Sequence, residues 1–203
     1  TRLQGDWSSD VCSSDLTDLD GTSVDAIKIG MLPNQESVEL ICEFLDRISC
    51  PKVVLDPVLK TSSGHFLVDR EGWNAIRTHL LPRVALITPN LDEAVSLTGS
   101  NPSRSPDLAS LGQLLLQQGA PSVLLKGGHV KGELSVDWLC SADSPPIAFE
   151  WARIDGGTEA RGTGCRLASA IACAWSRNSD LPDAVREGGE YLQQYLREAT
   201  RKG

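Results

Sequence analysis

Residues 161–165, Arg161-Gly162-Thr163-Gly164-Cys165, put two glycines, a hydroxyl and a thiol into five positions, and a helical apolar pattern follows at once. Glycine reaches backbone angles that other residues avoid, so Gly162 and Gly164 allow a sharp turn with bare N–H groups near a ligand. A helix leaves its first N–H groups without internal partners, and its dipole is positive at that end. Together these predict an anion site made by Gly162, Thr163, Gly164 and Cys165. Cys165 falls at its mouth, where positive potential is expected to lower the thiol pKa. The pattern is not a dinucleotide fingerprint, because Leu167 holds the third glycine position. Nor is it a Walker A loop, since no Gly-Lys-Ser/Thr follows. Read alone, such a stretch is more often only a tight turn before a helix, and Cys165 could be a small packing residue.

More polar groups fall where strands are expected to end. Lys52-Val53-Val54-Leu55-Asp56-Pro57-Val58 is a compact β-branched run, as in a strand buried on both faces, and Asp56 closes it. Strand 84–88 leads to Pro89-Asn90, with Glu93 three residues on, and strand 122–126 ends at Lys126 before Gly127-Gly128-His129. Taken singly, Asp56 could terminate a strand, Glu93 could be a first-turn helix charge, and Lys126 could be a solvated strand end. Ligands of open α/β sheets bind at the carboxyl ends of strands, so five such features on one rim predict a functional edge. His65, His79 and His129 are expected on loops or surfaces without catalytic roles.

Alternating elements must position these groups. Ala26-Ile27-Lys28-Ile29-Gly30-Met31 reads as a short strand ending in a glycine loop, and 35–49 carries a helical stripe ended by Pro51. Helices are predicted over 69–81, ended by Pro82, over 91–98, capped by Gly99, and over 107–118, with Leu108, Leu111, Leu114 and Leu115 inward. A loop is expected over 101–106. Runs 134–139 and 147–154 predict a hairpin around a turn at 141–146, and a last helix spans about 183–199. This alternation predicts an α/β fold with a largely parallel sheet.

The 203 residues suit one domain, and the net charge of −8 weighs against nucleic acid or anionic membrane as the main partner. No apolar run is long enough to cross a bilayer, and no basic-then-apolar signal opens the chain. The six cysteines form no Cys-X-X-Cys pair, which favours a reduced, cytoplasmic protein. Residues 1–24 are read as a non-native or disordered leader. Trp7-Ser8-Ser9-Asp10-Val11-Cys12-Ser13-Ser14-Asp15-Leu16 repeats Ser-Ser-Asp without helix or strand period and resembles a translated sequencing-library adapter.

Five motifs then occur in order: Lys28-Ile29-Gly30-Met31-Leu32, Val54-Leu55-Asp56-Pro57-Val58, Leu86-Ile87-Thr88-Pro89-Asn90-Leu91-Asp92-Glu93-Ala94, Lys126-Gly127-Gly128-His129 and Gly162-Thr163-Gly164-Cys165. From about Asp25 onward the chain resembles the hydroxymethylpyrimidine/phosphomethylpyrimidine kinases of thiamine biosynthesis, in the ribokinase superfamily. The resemblance implies a ribokinase-like three-layer α/β sandwich over 25–203 with a mostly parallel central sheet, its first strands missing. It implies phosphorylation of 4-amino-5-hydroxymethyl-2-methylpyrimidine and of its monophosphate, with ATP and Mg²⁺. By the same resemblance, Gly162, Thr163, Gly164 and Cys165 form the anion hole and Cys165 is the candidate base at the substrate hydroxyl. Asn90, Glu93 and Lys126 meet ATP, Asp56 and Glu93 serve the metal, and Met31 lines the pyrimidine pocket, although a methionine there could equally be core. A pyridoxal kinase of the same superfamily is the nearest alternative, and a non-catalytic nucleotide-binding fragment is another. The small-molecule substrate is the expected partner, and a homodimer of the full-length protein is compatible. Arg161 and Arg166 depart from the residues common at those places, and Arg166 could add a phosphate contact. With a substrate loop expected upstream of Asp25, the 203-residue chain by itself is expected to lack turnover.

Overall fold

The computed structural model describes residues 24–61, 64–100, 108–127, 133–154, 162–177 and 180–200. The leader (Val24 apart), the loop 101–106, Gly128, His129 and Arg161 lie outside the described residues. One six-stranded sheet has its strands in chain order. The strands are β1 (Ile27–Ile29), β2 (Val53–Leu55), β3 (Leu86–Ile87), β4 (Ser122–Leu125), β5 (Leu134–Ser141) and β6 (Ser144–Ala152). Pairs β1–β2, β2–β3 and β3–β4 are parallel, whereas β4–β5 and β5–β6 are antiparallel. The sheet is therefore mixed, with three parallel and two antiparallel pairings, and less fully parallel than expected. Parallel neighbours need a long crossover, and the connections after β4 and β5 are too short to supply one.

The helices are α1 (Gln35–Arg47), α2 (Arg70–Ala75), α3 (Leu91–Thr98), α4 (Leu108–Gln117), α5 (Thr163–Arg177) and α6 (Leu181–Thr200). Strand alternation feeds two cores. Val53, Leu55, Ile87, Val123 and Leu125 pack with Val38, Ile76, Leu97, Leu111 and Leu115 on the face of α1–α4. Val54, Leu86 and Leu124 pack with Leu167, Ile171, Trp175 and Val185 under α5 and α6. Three layers result, with the sheet in the middle.

Local chemistry explains where expectation and structure part. The single helix expected over 69–81 starts on an Asp69 cap at 2.6 Å to the Gly72 N–H, but widens into a π-type turn at Ile76–Leu80 and closes as a 3₁₀ turn at Leu81–Arg83. Pro82 sits inside that closing turn, where its missing N–H rules out an ordinary α-helical bond. The hairpin turn is Ala142-Asp143 alone, and Pro145 and Pro146 belong to β6. Proline is tolerated there because β6 is the outer strand of the described sheet. Leu114, expected inward, is 41% exposed, while Leu111 and Leu115 are fully buried. The last helix begins at Leu181, slightly ahead of the expected 183.

Candidate active site

Backbone bonds align the tips of four strands. The Asp56 N–H donates to Ile29 O at 2.9 Å, Thr88 N–H to Leu55 O at 2.9 Å, and Lys126 N–H to Pro89 O at 3.0 Å. A further parallel bridge joins Asn90 to Lys126. Asp56, Thr88, Asn90 and Lys126 are thereby stepped along one edge of the sheet.

On that edge Lys126 Nζ lies 2.9 Å from Asp56 Oδ1, and the Thr88 hydroxyl donates to the same oxygen at 3.2 Å. Asp56 is 2% exposed. Helix α5 starts against this ion pair. Gly162 has φ 71°, in the region that favours glycine. A methyl group on Gly164 would lie 2.9 Å from Lys126 Nζ and 3.9 Å from Asp56 Oδ1, so a side chain there would press on the pair. The first backward helical bond runs from Arg166 N–H to Gly162 O at 3.0 Å. The donors ahead of it, on Thr163, Gly164 and Cys165, form the mouth of the helix. At the other end of α5, Lys52 Nζ donates to Trp175 O at 2.8 Å, a cation at the negative pole.

Charge organises the cluster. Burial pushes the Asp56 carboxyl up. The Lys126 charge, hydrogen bonds from Cys165 and Lys126, and the Lys28 charge more than offset this and hold it below the usual range. Burial pulls Lys126 down, and the Asp56 and Glu93 charges reverse this, so its ammonium is held above its usual value. For Cys165 the expected direction is overturned. Burial raises the thiol, and donation to the Asp56 carboxylate and that group's negative charge raise it further, against smaller opposing effects of Lys28 and Lys126. On a residue that is exposed overall, the neighbouring Asp56 carboxylate thus pushes the thiol up, opposite to the direction expected from a helix start.

Asn90 and Glu93 form a reciprocal cap on α3. Asn90 Oδ1 accepts from the Glu93 N–H at 2.9 Å, and Glu93 Oε2 accepts from the Asn90 N–H at 2.8 Å. Glu93 Oε1 also accepts from the Leu59 N–H at 3.4 Å. Its carboxyl is raised, first by burial, against the Lys126 charge and its backbone donors. The Asn-X-X-Glu spacing thus has a local structural cause. Among the described residues no cluster of three or more His, Cys, Asp or Glu could cage a metal. Of the two carboxylates on this edge, Glu93 is held in the α3 cap and Asp56 is paired with Lys126.

Met31 is 51% exposed beyond the end of β1, so it is not core. Arg166 lies with its guanidinium carbon 4.0 Å from the Tyr195 ring centroid, directed to α6. Two residues of the site, Thr88 and Lys28, are not among those singled out by sequence. For Thr88 the available signal is a hydroxyl closing an apolar strand just before Pro89-Asn90. Lys28 stands between Ile27 and Ile29, and an ammonium inside an apolar strand is its signal. A surface cavity of about 550 Å³ lined by Arg70, Glu71, Trp73, Asn74 and Arg77 shares no residue with the cluster.

A sequence model described as phosphomethylpyrimidine kinase matches residues 10–203. The chain belongs to the phosphomethylpyrimidine kinase family. It is 35% identical over 180 residues to a hydroxymethylpyrimidine/phosphomethylpyrimidine kinase of Aquifex aeolicus, covering 89% of this chain and 70% of that protein. The crystal structure of a phosphomethylpyrimidine kinase from Clostridium difficile 630 matches with a TM-score of 0.77 at 28% identity, covering 92% of this chain and 76% of the other. An ADP complex of Bacillus subtilis pyridoxal kinase matches with a TM-score of 0.79 at 29% identity, covering 90% and 68%. The chain spans about two thirds of the length of the curated relatives it matches. No helix among its described residues is long and apolar enough to cross a membrane.

Proposed function

We propose that the full-length protein is an ATP-dependent kinase of 4-amino-5-hydroxymethyl-2-methylpyrimidine and of its monophosphate. The observation that carries this reading is the meeting of Cys165, Asp56 and Lys126 at the start of α5. Phosphoryl transfer asks a protein for alignment and charge stabilisation rather than covalent chemistry. The N–H groups of Gly162, Thr163, Gly164 and Cys165 supply fixed dipoles for the transferring group, and Lys126 supplies a cation beside them. Asp56, with Glu93 behind the α3 cap, fits on the side of Mg²⁺, which when bound neutralises phosphate charge. Asn90 holds the start of α3 next to Lys126 and so sets that wall of the nucleotide site. Met31 offers an apolar surface for the pyrimidine ring.

With Asp56 pushing its thiol up, Cys165 is read as a positioning group at the acceptor hydroxyl. Its sulfur can accept a hydrogen bond from the acceptor hydroxyl while its own S–H remains on Asp56. The acceptor oxygen is then aimed at the phosphorus. As its bond to the γ-phosphorus forms, the bond to the β–γ bridging oxygen breaks and ADP leaves with the electron pair. The hydroxyl proton passes to an oxygen of the transferred phosphoryl group, since a loose transition state needs little prior deprotonation. The relatedness to pyridoxal kinase supports pyridoxal as the competing acceptor.

The test is ATP-dependent phosphorylation of hydroxymethylpyrimidine, its monophosphate and pyridoxal by the full-length protein. Turnover of both pyrimidines with a higher kcat/KM than pyridoxal is expected. Turnover of pyridoxal alone would move the reading to the competitor, and nucleotide binding without turnover of any would leave a binding module.

A further inference from the structure

Lys28 stands on a short strand at the rim of the site, and its position follows from register. It pairs with Val54 in the β1–β2 ladder, so the two side chains share a face of the sheet. Val54 packs beneath α5, with Leu167 and Ile171 in the same core. Lys28 is therefore on the α5 side, one residue before the tip that Asp56 shares through its bond to Ile29. Its ammonium folds towards the carboxyl end of the strand. Lys28 Nζ lies 2.8 Å from the place a Cβ on Gly30 would occupy, so the bare backbone of Gly30 leaves room for it. Its charge reaches both the Asp56 carboxylate and the Cys165 sulfur.

The two lysines of the site differ in commitment. Lys126 is in contact with Asp56 at 2.9 Å, whereas Lys28 forms no ion pair among the described residues. Asp56 is matched by one lysine, and Lys28 adds a positive charge without a carboxylate in contact among the described residues. A neutral alcohol acceptor has no use for that charge. A phosphate acceptor does, because its oxygen must approach the γ-phosphoryl group of ATP against like charge.

We propose that Lys28 is the acceptor-side cation of this site, a specificity-determining residue that favours a phosphorylated acceptor over the alcohol. The inference rests on the kinase reading above. In the second transfer an oxygen of the acceptor phosphate forms a bond to the γ-phosphorus of ATP. The bond from that phosphorus to the β–γ bridging oxygen breaks, and ADP leaves with the electron pair. Lys28 holds the acceptor phosphate close enough for this approach.

The experiment compares full-length Lys28→Met and Lys28→Arg with the unaltered protein, measuring kcat/KM for the alcohol and for the monophosphate. Methionine keeps the apolar stem and suits the strand. The ratio of the monophosphate value to the alcohol value is expected to fall by about tenfold or more in Lys28→Met, mainly through KM. Arginine is expected to restore the ratio to within about threefold. The affinity of the unaltered protein for the monophosphate, read by calorimetry, should weaken with added salt more steeply than that of Lys28→Met. An unmoved ratio, or equal salt slopes, overturns the assignment of Lys28 and leaves the kinase reading standing. A folded, unaltered protein that turns over neither pyrimidine overturns the kinase reading, and Lys28's role falls with it.

Discussion

Lys126 lies between two buried aspartates of nearly equal exposure, and they have opposite electrostatic fates. Asp56 is 2% exposed, in contact with the Lys126 ammonium, and held below the ordinary carboxyl range. Asp137 on β5 is 7% exposed and accepts from the Gly127 N–H at 2.8 Å and the Trp151 indole N–H at 3.0 Å. Burial raises Asp137 above the ordinary range, and its two neutral donors and the more distant Lys126 charge offset this only in part. Burial alone therefore does not decide whether a carboxylate works as a charge. A cation in contact makes Asp56 an ionised part of the site, while two neutral donors make Asp137 a clamp tying the end of β4 to the β5–β6 hairpin.

The sharpest way to break this contrast is to remove the shared cation. Lys126→Met leaves Asp56 buried without its partner, and such a loss costs about 3–5 kcal/mol. Urea unfolding should show it, and phosphorylation should fall by about a thousandfold as a fixed cation is lost from the transferring group. Adding Asp56→Asn to Lys126→Met should recover much of the stability and none of the activity. If the single and double variants are equally destabilised, the ion pair is not what holds Asp56 charged.

Asp137→Ala comes next in size. It strands two donors, the Gly127 N–H and the Trp151 indole, at about 1–3 kcal/mol each if neither finds water. Equilibrium unfolding gives the loss, and a shifted Trp emission identifies Trp151 as affected. An unchanged midpoint would show that Asp137 clamps nothing. Smaller again is Asn90→Ala, which removes one half of the α3 cap. It should cost about 1 kcal/mol of stability, and an effect on KM for ATP beyond about twofold would show that Asn90 does more than cap.

These contrasts also show what the sequence could disclose. Asp56, Asn90, Glu93, Lys126 and Cys165 are readable as rim residues because apolar runs end at each of them or a glycine loop precedes them. The brief hairpin turn and the widened end of α2 are not, because they depend on how Pro82, Pro145 and Pro146 are accommodated by neighbours. The raised thiol of Cys165 is hidden for a related reason. The local signal, a helix start, predicts a thiolate, but the deciding neighbour is Asp56, far away in sequence. Lys28 and Asp137 are single charges in strand patterns whose partners emerge only once register is known.

The finest test reads the two aspartates through pH. Asp56 has a folded pKa below its ordinary 3.8, so its contribution to stability is present above that value and is lost as pH falls through the folded value. Asp137 has the opposite sign. Its folded pKa lies above 3.8, so between the two values the folded state holds a proton that the unfolded state has released. Stability from this group therefore falls as pH rises through that window and is level beyond it. Glu93, raised above 4.5, slopes the same way; it cancels against Asp137→Asn but not against Asp56→Asn, because the Asp56 charge helps to raise it. Subtracting the stability curve of Asp137→Asn from that of the unaltered protein should give a difference that declines with rising pH from about 4 upwards. The decline amounts to about 1.4 kcal/mol for every pH unit between the ordinary and the folded pKa. The same subtraction with Asp56→Asn should give a difference that rises with pH below 3.8, the range of Asp56 alone, with a slope opposite in sign to that of Asp137. Two differences of the same sign would mean that Lys126 does not distinguish its two carboxylates, and the division between working charge and clamp would have to be abandoned.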